Sequence, residues 1–311
     1  SFETENWRED IELINSRLAQ HWVDLELTEQ GFTELRVAMA GAESEEAFPD
    51  NLNLTRRFLH RSFLNTQFDR GGRFYGGWWQ NIPKEYRHHL AVNGKQMVEL
   101  DYSNQHPSIL YAQAGELRPA DCYADVIPLS SLQQNMPRKD LRSAVKAAFN
   151  AMLNSPRPLR QPPKGVRPSQ FGLTWREFSE AIIAFHEPIA HHFYTGVGLR
   201  LQRLDSDIAE KVMLHFAQHN IAVLPLHDSF LMHHGYEATL EPIMEAAFEE
   251  VVGVVPKVDR KETKLNRAED TDHDKDNLGP PVTDDIHELI GSLCGHDHRR
   301  NAFFALRTKL A

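Results

Sequence analysis

The sequence predicts an α+β protein in which helices pack on an antiparallel sheet, and three segments lead to this prediction. Apolar and polar side chains alternate over residues 97–102, which is typical of a half-buried strand. Two apolar runs at 221–226 and 230–233 flank a short polar turn, which indicates a β-hairpin. Residues 137–154 have one apolar face and one cationic and amide face at helical spacing, which indicates an amphipathic helix.

The other elements follow from local patterns of the same kind. Apolar residues recur at helical spacing within 5–47 and 205–219, so both segments are predicted to be helical. Pro107 suits the first turn of a short helix that Gly115 would end. Residues 155–169 contain five prolines and are therefore predicted to form a loop.

The C-terminal segment differs from the rest in composition. Residues 269–285 are rich in Asp and contain Gly and Pro, which is typical of a disordered acidic linker. A short helix is predicted from Asp285 onward, ending in a basic patch at Arg299 and Arg300. Cys294 and the histidines after it lack the ligand spacing of a structural zinc site.

Charge is distributed unevenly along the 311 residues, although the net charge is −10. Residues 51–100 carry eight Lys or Arg against three acids, and residues 135–176 carry nine against one. Phosphates are bound mainly by Lys and Arg, so this segregation suits a nucleic-acid cleft with solvated outer faces. The alternative is ordinary surface charge that happens to cluster.

Composition also limits the class of protein and its compartment. Hydrophobic residues make up 41% of the chain, which is enough for a large buried core. The sequence has no apolar run long enough to span a bilayer and no signal peptide at its first residues, so no membrane partner is expected. Its two cysteines, Cys122 and Cys294, are too few for a disulfide framework, and we expect a reducing, cytoplasmic setting.

Two segments in the first third of the chain resemble motifs of family A DNA polymerases. Arg73 precedes the tetrapeptide Gln-Asn-Ile-Pro at 80–83, as an arginine does before the palm of that family. Residues 101–106 read Asp-Tyr-Ser-Asn-Gln-His and are similar to the first catalytic motif of the family.

Two further segments continue the resemblance in the same order. Arg142 and Lys146 match the Arg-x-x-x-Lys of the fingers helix. Residues 227–230 read His-Asp-Ser-Phe, which resembles the third motif and is closer to the single-subunit phage RNA polymerases. The resemblance spans about residues 70–235.

The resemblance implies a right-hand polymerase architecture: a palm with an antiparallel sheet and a motif hairpin, helical fingers and a minimal thumb. The implied division is an N-terminal helical region at 1–65, a palm at 66–118 and 200–260, fingers at 119–199, and an acidic linker with a C-terminal helix at 261–311.

The resemblance also implies a role for each matching residue. The catalytic group is Asp101, Asp228, Arg142 and Lys146. Two Mg²⁺ ions, or Mn²⁺ in their place, are expected at Asp101, Asp228 and the carbonyl of Tyr102. Tyr102, Gln105, His106, Asn150 and Asn154 would bind the nucleotide substrate. Arg73, Gln80, His227 and Arg203 would contact nucleic acid.

Elementary chemistry explains why these residue types suit that reaction. Nucleotidyl transfer develops negative charge on phosphate oxygens, and two hard cations stabilise it efficiently. Carboxylates are the ligands that Mg²⁺ prefers, and adjacent strands could bring Asp101 and Asp228 together. Arg142 and Lys146 lie one helical turn apart, so both could reach one triphosphate. The alternative for this pair is a solvated helix face.

Three positions depart from the family pattern. The family has a Glu that excludes the ribose hydroxyl where this chain has His106, so the choice of sugar is open. It has aromatic residues that stack on the incoming base where this chain has Asn150 and Asn154. For the neighbouring Trp78 and Trp79, packing in the core is the preferred interpretation.

The sequence therefore favours a small DNA-directed DNA polymerase that extends a primer with a two-metal mechanism. Its expected partners are a DNA template-primer and nucleoside triphosphates, with RNA as an alternative and a replication partner at the C-terminal tail. RNA synthesis or priming is the second hypothesis. An inactive nucleic-acid-binding module and a metal-dependent nuclease are alternatives from other classes.

Overall fold

The computed structural model describes residues 2–41, 53–64, 67–127, 138–261 and 299–305. The predicted acidic linker at 269–285, most of the helix predicted from Asp285 onward and the cysteine Cys294 lie outside the described residues.

The described chain is a mixed α/β structure, as predicted, with antiparallel sheets. Its strands are β1 (Val23–Leu25), β2 (His60–Leu64), β3 (Gln67–Tyr75), β4 (Leu90–Val92), β5 (Lys95–Tyr102), β6 (Val223–Leu226), β7 (Ser229–His233) and β8 (Val258–Lys261). Its helices are α1 (Phe2–Leu18), α2 (Glu29–Gly41), α3 (Gln105–Ala114), α4 (Arg138–Asn154), α5 (Trp175–Phe185), α6 (Gly198–Gln218) and α7 (Glu237–Val252). None of the helices in these ranges is long and apolar enough to cross a bilayer.

Strand β5 is at the centre of a six-stranded antiparallel sheet. The order is β1-β4-β5-β7-β6, and β8 also pairs with β5. The predicted alternation of β5 is present, but the prediction of a half-buried strand was wrong because both faces are covered. On one face the Tyr102 hydroxyl donates to the Met244 carbonyl of α7, and on the other Glu99 is 6% exposed. A charged residue in a central strand requires charged partners.

The predicted hairpin and the amphipathic helix are confirmed. Strands β6 and β7 pair with Leu226 opposite Ser229, so His227 and Asp228 form a two-residue turn. His227 has a φ of 64°, the left-handed conformation that such tight turns require. Helix α4 covers the predicted segment, and its apolar face is buried in the core.

Helix α3 starts two residues before the predicted position and ends where it was predicted to end. Asn104, with a φ of 53°, precedes it, and Gly115, with a φ of 71°, caps its C-terminus. Glycine is favoured at this left-handed cap because it has no Cβ. The Asn104 turn redirects the chain immediately after β5, which places the first turn of α3 beside the end of that strand.

Three sequence predictions require correction. The segment 5–47 is not helical throughout, because β1 separates α1 from α2 and pairs with β4. Helix α6 begins at Gly198 rather than at Asp205. Arg299 is not part of an exposed basic patch, since it is fully buried and pairs with Asp24 on β1.

Candidate active site

Asp101 and Asp228 lie next to each other where paired strands end. Asp101 is opposite Ser229, the first residue of β7, and the Tyr102 amide donates to the carbonyl of Asp228 at 3.2 Å. Oδ1 of Asp101 is buried and has no hydrogen-bond partner among the described residues. Burial and the neighbouring Asp228 carboxylate raise the pKa of Asp101 to about 6. Two crowded carboxylates of this kind favour a bound cation.

Strand β8 adds a cation and a third carboxylate that sequence reasoning missed. Lys261 Nζ lies 2.9 Å from Asp101 Oδ2 and 2.8 Å from Glu99 Oε1. Hydrogen bonds and the charges of these two acids raise the pKa of Lys261 and outweigh its burial. Asp259 is opposite Asp101 in the register and lines the same cleft. Asp101 is therefore held on both sides, because β5 pairs with β7 along one edge and with β8 along the other.

These residues face a cleft of about 430 Å³. It is bounded by the end of β5, the start of α3, the β6–β7 turn and one face each of α4 and α6. The lining residues are Arg73, Asp101, Tyr102, Ser103, Asn104, Gln105, His106, Tyr123, Arg142, Lys146, Asn150, Asn154, Gln202, His227, Asp228 and Asp259. The catalytic and substrate-binding candidates predicted from the sequence are thus all in one place.

Arg142 and Lys146 supply the positive side of the cleft from α4. Arg142 Nε donates to Asp121 Oδ2 at 2.7 Å, and its guanidinium lies 5.5 Å from the centre of the Tyr123 ring. Lys146 Nζ lies 5.9 Å from the same ring. Tyr123 is buried, so it supports both cations on a rigid surface. The two cations therefore line the same cleft as the two carboxylates.

Gln105 and His106 form the part of the cleft that belongs to α3. Gln105 is 5% exposed, and neither atom of its amide has a hydrogen-bond partner within the described ranges. Burial, followed by the charge of Arg73, lowers the pKa of His106 to about 4. His106 is therefore neutral at pH 7. The cleft offers a bound molecule neutral hydrogen-bonding groups here.

Arg73 is held at the edge of the cleft by a carboxylate that the sequence did not single out. Its Nε and Nη2 lie 2.7 Å and 2.5 Å from Asp205 Oδ2. The Asp205 side chain is 1% exposed, whereas that of Arg73 is 19% exposed. Burial raises the pKa of Asp205, and the charge of Arg73 opposes this rise. His227 borders the same edge, with its ring 5.5 Å from that of Tyr75.

Asn150 and Asn154 line the cleft one helical turn apart on α4. Asn154 Nδ2 donates to the Asn150 carbonyl at 2.8 Å. The Asn154 amide packs so closely on Gly198 that a Cβ at that position would collide with it. Together with Gln202 of α6, these residues give this end of the cleft an amide lining instead of an aromatic one.

Two predicted nucleic-acid contacts lie outside the cleft lining. Gln80 Nε2 donates to the carbonyls of Phe74 and Pro225, so it ties β3 to β6. Arg203 is on the opposite side of α6, where its Nε donates to the Phe68 carbonyl at 2.8 Å. Trp78 and Trp79 are 1% and 0% exposed, which confirms the interpretation as core residues.

The residues that the sequence analysis missed reach the site through contacts between segments that are distant in the sequence. Lys261 and Asp259 lie on a four-residue strand, too short for alternation to be significant. Asp121 and Tyr123 lie in an irregular segment before α4, with no pattern to mark them. Asp205 gave a signal, because on a helical wheel it falls on the apolar side of α6. A charged residue there is a sign of a buried partner.

Comparisons with known proteins give limited information. No protein-family model matches the sequence, and no curated protein matches it. Among solved structures, the chain is similar to the POL domain of Pol1 from M. smegmatis in complex with DNA primer-template and dNTP, at 16% identity and a TM-score of 0.43. The match covers 73% of this chain and 50% of that one, so this chain spans half of the length of that structure. Such similarity assigns neither a family nor a function.

Proposed function

We propose that this protein is a template-directed nucleotidyltransferase, and specifically a small DNA-directed DNA polymerase that extends a primer. One observation carries the proposal: two adjacent acids at strand ends, Asp101 and Asp228, line one cleft together with Arg142 and Lys146. A nucleoside triphosphate would present its negative charge to the cationic side chains and the oxygens of its reacting phosphate to the metal ions that the carboxylates would hold, which is the chemistry that such a cleft suits.

The donor set of the cleft suits magnesium. The carboxylates of Asp101 and Asp228 and the carbonyl of Tyr102 are hard oxygen ligands, and Mg²⁺ keeps several waters besides such ligands. The unpartnered Oδ1 of Asp101 supports this assignment. Among the described residues, no group of three or more His, Cys, Asp or Glu is placed to hold a metal ion, and the proposed site has two carboxylates and one carbonyl. Bound Mg²⁺ would stabilise charge on the reacting phosphate and activate the attacking hydroxyl.

The residues of the chain have separate tasks in this proposal. Arg142 and Lys146 bind the triphosphate and offset the charge of the departing pyrophosphate. Arg73 contacts the primer end from a fixed position, because Asp205 anchors its guanidinium. Gln105 and His106 contact the sugar or base of the incoming nucleotide with neutral groups. The sheet and the β6–β7 hairpin act as a palm, and the segment containing α4 and α5 acts as fingers.

RNA synthesis is the second candidate, and His106 is the observation that favours it. A neutral imidazole at this position brings no negative charge close to a ribose hydroxyl, so it can donate or accept a hydrogen bond there. Supplying deoxyribonucleotides and ribonucleotides in separate primer-extension reactions distinguishes the two candidates. Preference for deoxyribonucleotides supports the DNA polymerase, whereas equal use or ribonucleotide preference contradicts it.

The first test is extension of a labelled primer on a DNA template with Mg²⁺ and deoxyribonucleotides. We expect Asp228→Asn to lower the rate on the order of 100-fold or more, because a neutral amide holds the metal poorly. Asp125→Asn is the matched control, since Asp125 is exposed and outside the cleft lining. Absence of extension by the wild type, with intact DNA binding, would indicate an inactive binding module. Shortened primers would indicate a nuclease.

A second test addresses the cations. Arg142→Ala is expected to raise KM for the nucleotide roughly ten-fold or more, because a charge-assisted contact to the triphosphate is lost. Arg176→Ala is the control, since this arginine on α5 is exposed. Within the part of the chain that the structure describes, its ion pair is with Glu180, one helical turn away. An unchanged KM in Arg142→Ala would assign that residue to a solvated helix face.

A further inference from the structure

A second cavity lies on the side of α6 that faces away from the cleft. Its volume is about 880 Å³, and it shares no lining residue with the cleft. Five residues of α6 line it: Arg200, Leu201, Arg203, Leu204 and Asp207. Four of them, Arg200, Arg203, Leu204 and Asp207, recur at helical spacing and share one face of the helix. Gln202 and Asp205, which border the cleft region, fall on the opposite face.

An exposed aromatic platform, the ring of Phe68, also lines this cavity. Phe68 on β3 is 52% exposed. Its ring lies 5.1 Å from that of Phe63 in an edge-to-face contact and 5.6 Å from that of Trp7. The ring is therefore held in place from below although half of its surface is open. Phe68 therefore presents a supported, open aromatic face to the cavity, on which a flat ligand can stack.

Cations surround this platform. Arg70 is next to it on β3, Arg200 is exposed on α6, and Arg203 lies 4.9 Å from the Trp7 ring. Of the two acids in the lining, Asp207 is paired with both Arg203 and Arg61. Asp69 is an exposed partner of Arg70 at 4.0 Å. Burial lowers the pKa of His192, with a further contribution from Arg200. The lining therefore combines positive charge with an aromatic surface.

We propose that this second cavity binds single-stranded nucleic acid, with a base stacked on Phe68 and phosphates at Arg70 and Arg200. Open aromatic surfaces beside arginines suit single strands because every base has a face that can stack, whereas in a duplex the faces are covered. A helix about 10–12 Å in diameter separates the two cavities, so one strand can reach both. The binding itself does not depend on the proposed function, but a role of the bound strand as the template for synthesis would rest on it.

The test measures binding without synthesis. Anisotropy of a labelled single-stranded oligodeoxynucleotide is recorded in EDTA and without nucleotides. We expect Phe68→Ala to weaken binding roughly five-fold or more, which is the loss of one base–aromatic stack. Arg200→Ala should weaken it as well and reduce the slope of log K against log salt by about 0.7, because one phosphate contact is lost. Since Arg200 is exposed, its replacement leaves the core intact.

Matched controls lie outside both cavities. Phe58→Ala removes a phenylalanine that is 61% exposed, and Arg176→Ala removes an exposed arginine. Both should bind the oligonucleotide as the wild type does. Wild-type affinity in Phe68→Ala and Arg200→Ala overturns the proposal. An equal loss of affinity for blunt duplex, or displacement of the strand by a mononucleotide at comparable concentration, also overturns it, since the cavity would then hold a different ligand.

The outcome is independent of the proposed function. If no protein extends a primer but Phe68→Ala still loses affinity, the strand site stands and the polymerase proposal fails. If primers are extended and both Phe68→Ala and Arg200→Ala bind the oligonucleotide like the wild type, the polymerase proposal stands and the strand-site proposal fails.

Discussion

The ammonium group of Lys261 lies 2.9 Å from a carboxylate oxygen of Asp101, so a lysine on β8 is in direct contact with a proposed metal ligand on β5. The same ammonium contacts Glu99 at 2.8 Å. One lysine therefore neutralises part of the charge of two acids in a largely buried part of the sheet. The site is built around an internal cation as well as the cations of α4.

Lys261→Met should lower the free energy of unfolding by roughly 1–3 kcal/mol, because Glu99 keeps its buried position and loses a charged donor. Urea denaturation at pH 7 measures this difference. Lys257→Met is the control, since its pair with Asp259 is largely exposed and should be worth less than about 1 kcal/mol. Equal stability of the wild type and Lys261→Met would contradict the prediction.

Asp205→Ala should lower both stability and affinity for DNA. Breaking a buried ion pair costs about 3–5 kcal/mol, and we expect the lower end because the Arg73 side chain retains 19% exposure. Thermal or urea unfolding gives the first effect, and binding of a primer-template gives the second. Glu180→Ala, which breaks an exposed pair with Arg176, should change neither quantity. An unchanged stability of Asp205→Ala would show that the Arg73 contact contributes little.

Tyr102→Phe should distinguish the role of the Tyr102 side chain from the role of its backbone carbonyl. The hydroxyl donates to the buried Met244 carbonyl at 2.7 Å, so its loss should cost about 1–3 kcal/mol of stability. The proposed metal ligand is the carbonyl of Tyr102, which the substitution retains. The rate of primer extension should therefore stay close to that of the wild type. A loss of activity with unchanged stability would place the hydroxyl in the reaction.

His186 should make stability depend on pH. Its ring is buried between the Tyr111 hydroxyl and the Cys122 carbonyl, and burial lowers its pKa to about 4. An unfolded histidine has a pKa near 6.5, so the unfolded chain binds the proton more tightly. The contribution of His186 is therefore complete above about pH 6.5 and is lost as pH falls towards 4, by up to about 3 kcal/mol.

This prediction is checked by comparing the pH dependence of unfolding of the wild type with that of His186→Phe. Between pH 6.5 and 4 the free energy of unfolding of the variant should fall less than that of the wild type, because the variant has no His186 to protonate. At pH 7 the variant should be less stable than the wild type, because it lacks two hydrogen bonds. His234→Phe is the control, since His234 is exposed after β7. Parallel pH profiles of the wild type and His186→Phe would refute the assignment.

The elements that could be predicted from the sequence are those whose signals are local. The alternation before Tyr102, the apolar face of α4 and the turn at His227 and Asp228 each lie within a few residues of sequence, and all three occur in the structure. The grouping of Asp101, Asp228, Arg142 and Lys146 in one cleft also agrees with the expectation. Their roles in catalysis stay predictions until the variants are measured.

The features that escaped prediction depend on pairing between distant segments. The contacts of Lys261 with β5 and of Asp205 with Arg73 join residues that no periodic pattern relates. Short strands such as β1 and β8 offer too few residues for alternation to be recognised. Arg299 was expected in a basic patch, and its contacts with Asp24 and the Phe32 ring explain why it is buried instead.

The central position of β5 also constrains how the protein can be synthesised. Ser229 and Lys261, which contact Glu99 of this strand, follow it by 130 and 162 residues. At about 5–20 residues per second, a ribosome needs roughly 8–32 s to make the longer of these two stretches. During this interval β5 lacks two neighbours, and its unpaired edges can associate with other chains. We therefore expect the yield of active protein from cells to rise when elongation is fast or a chaperone covers the nascent strand.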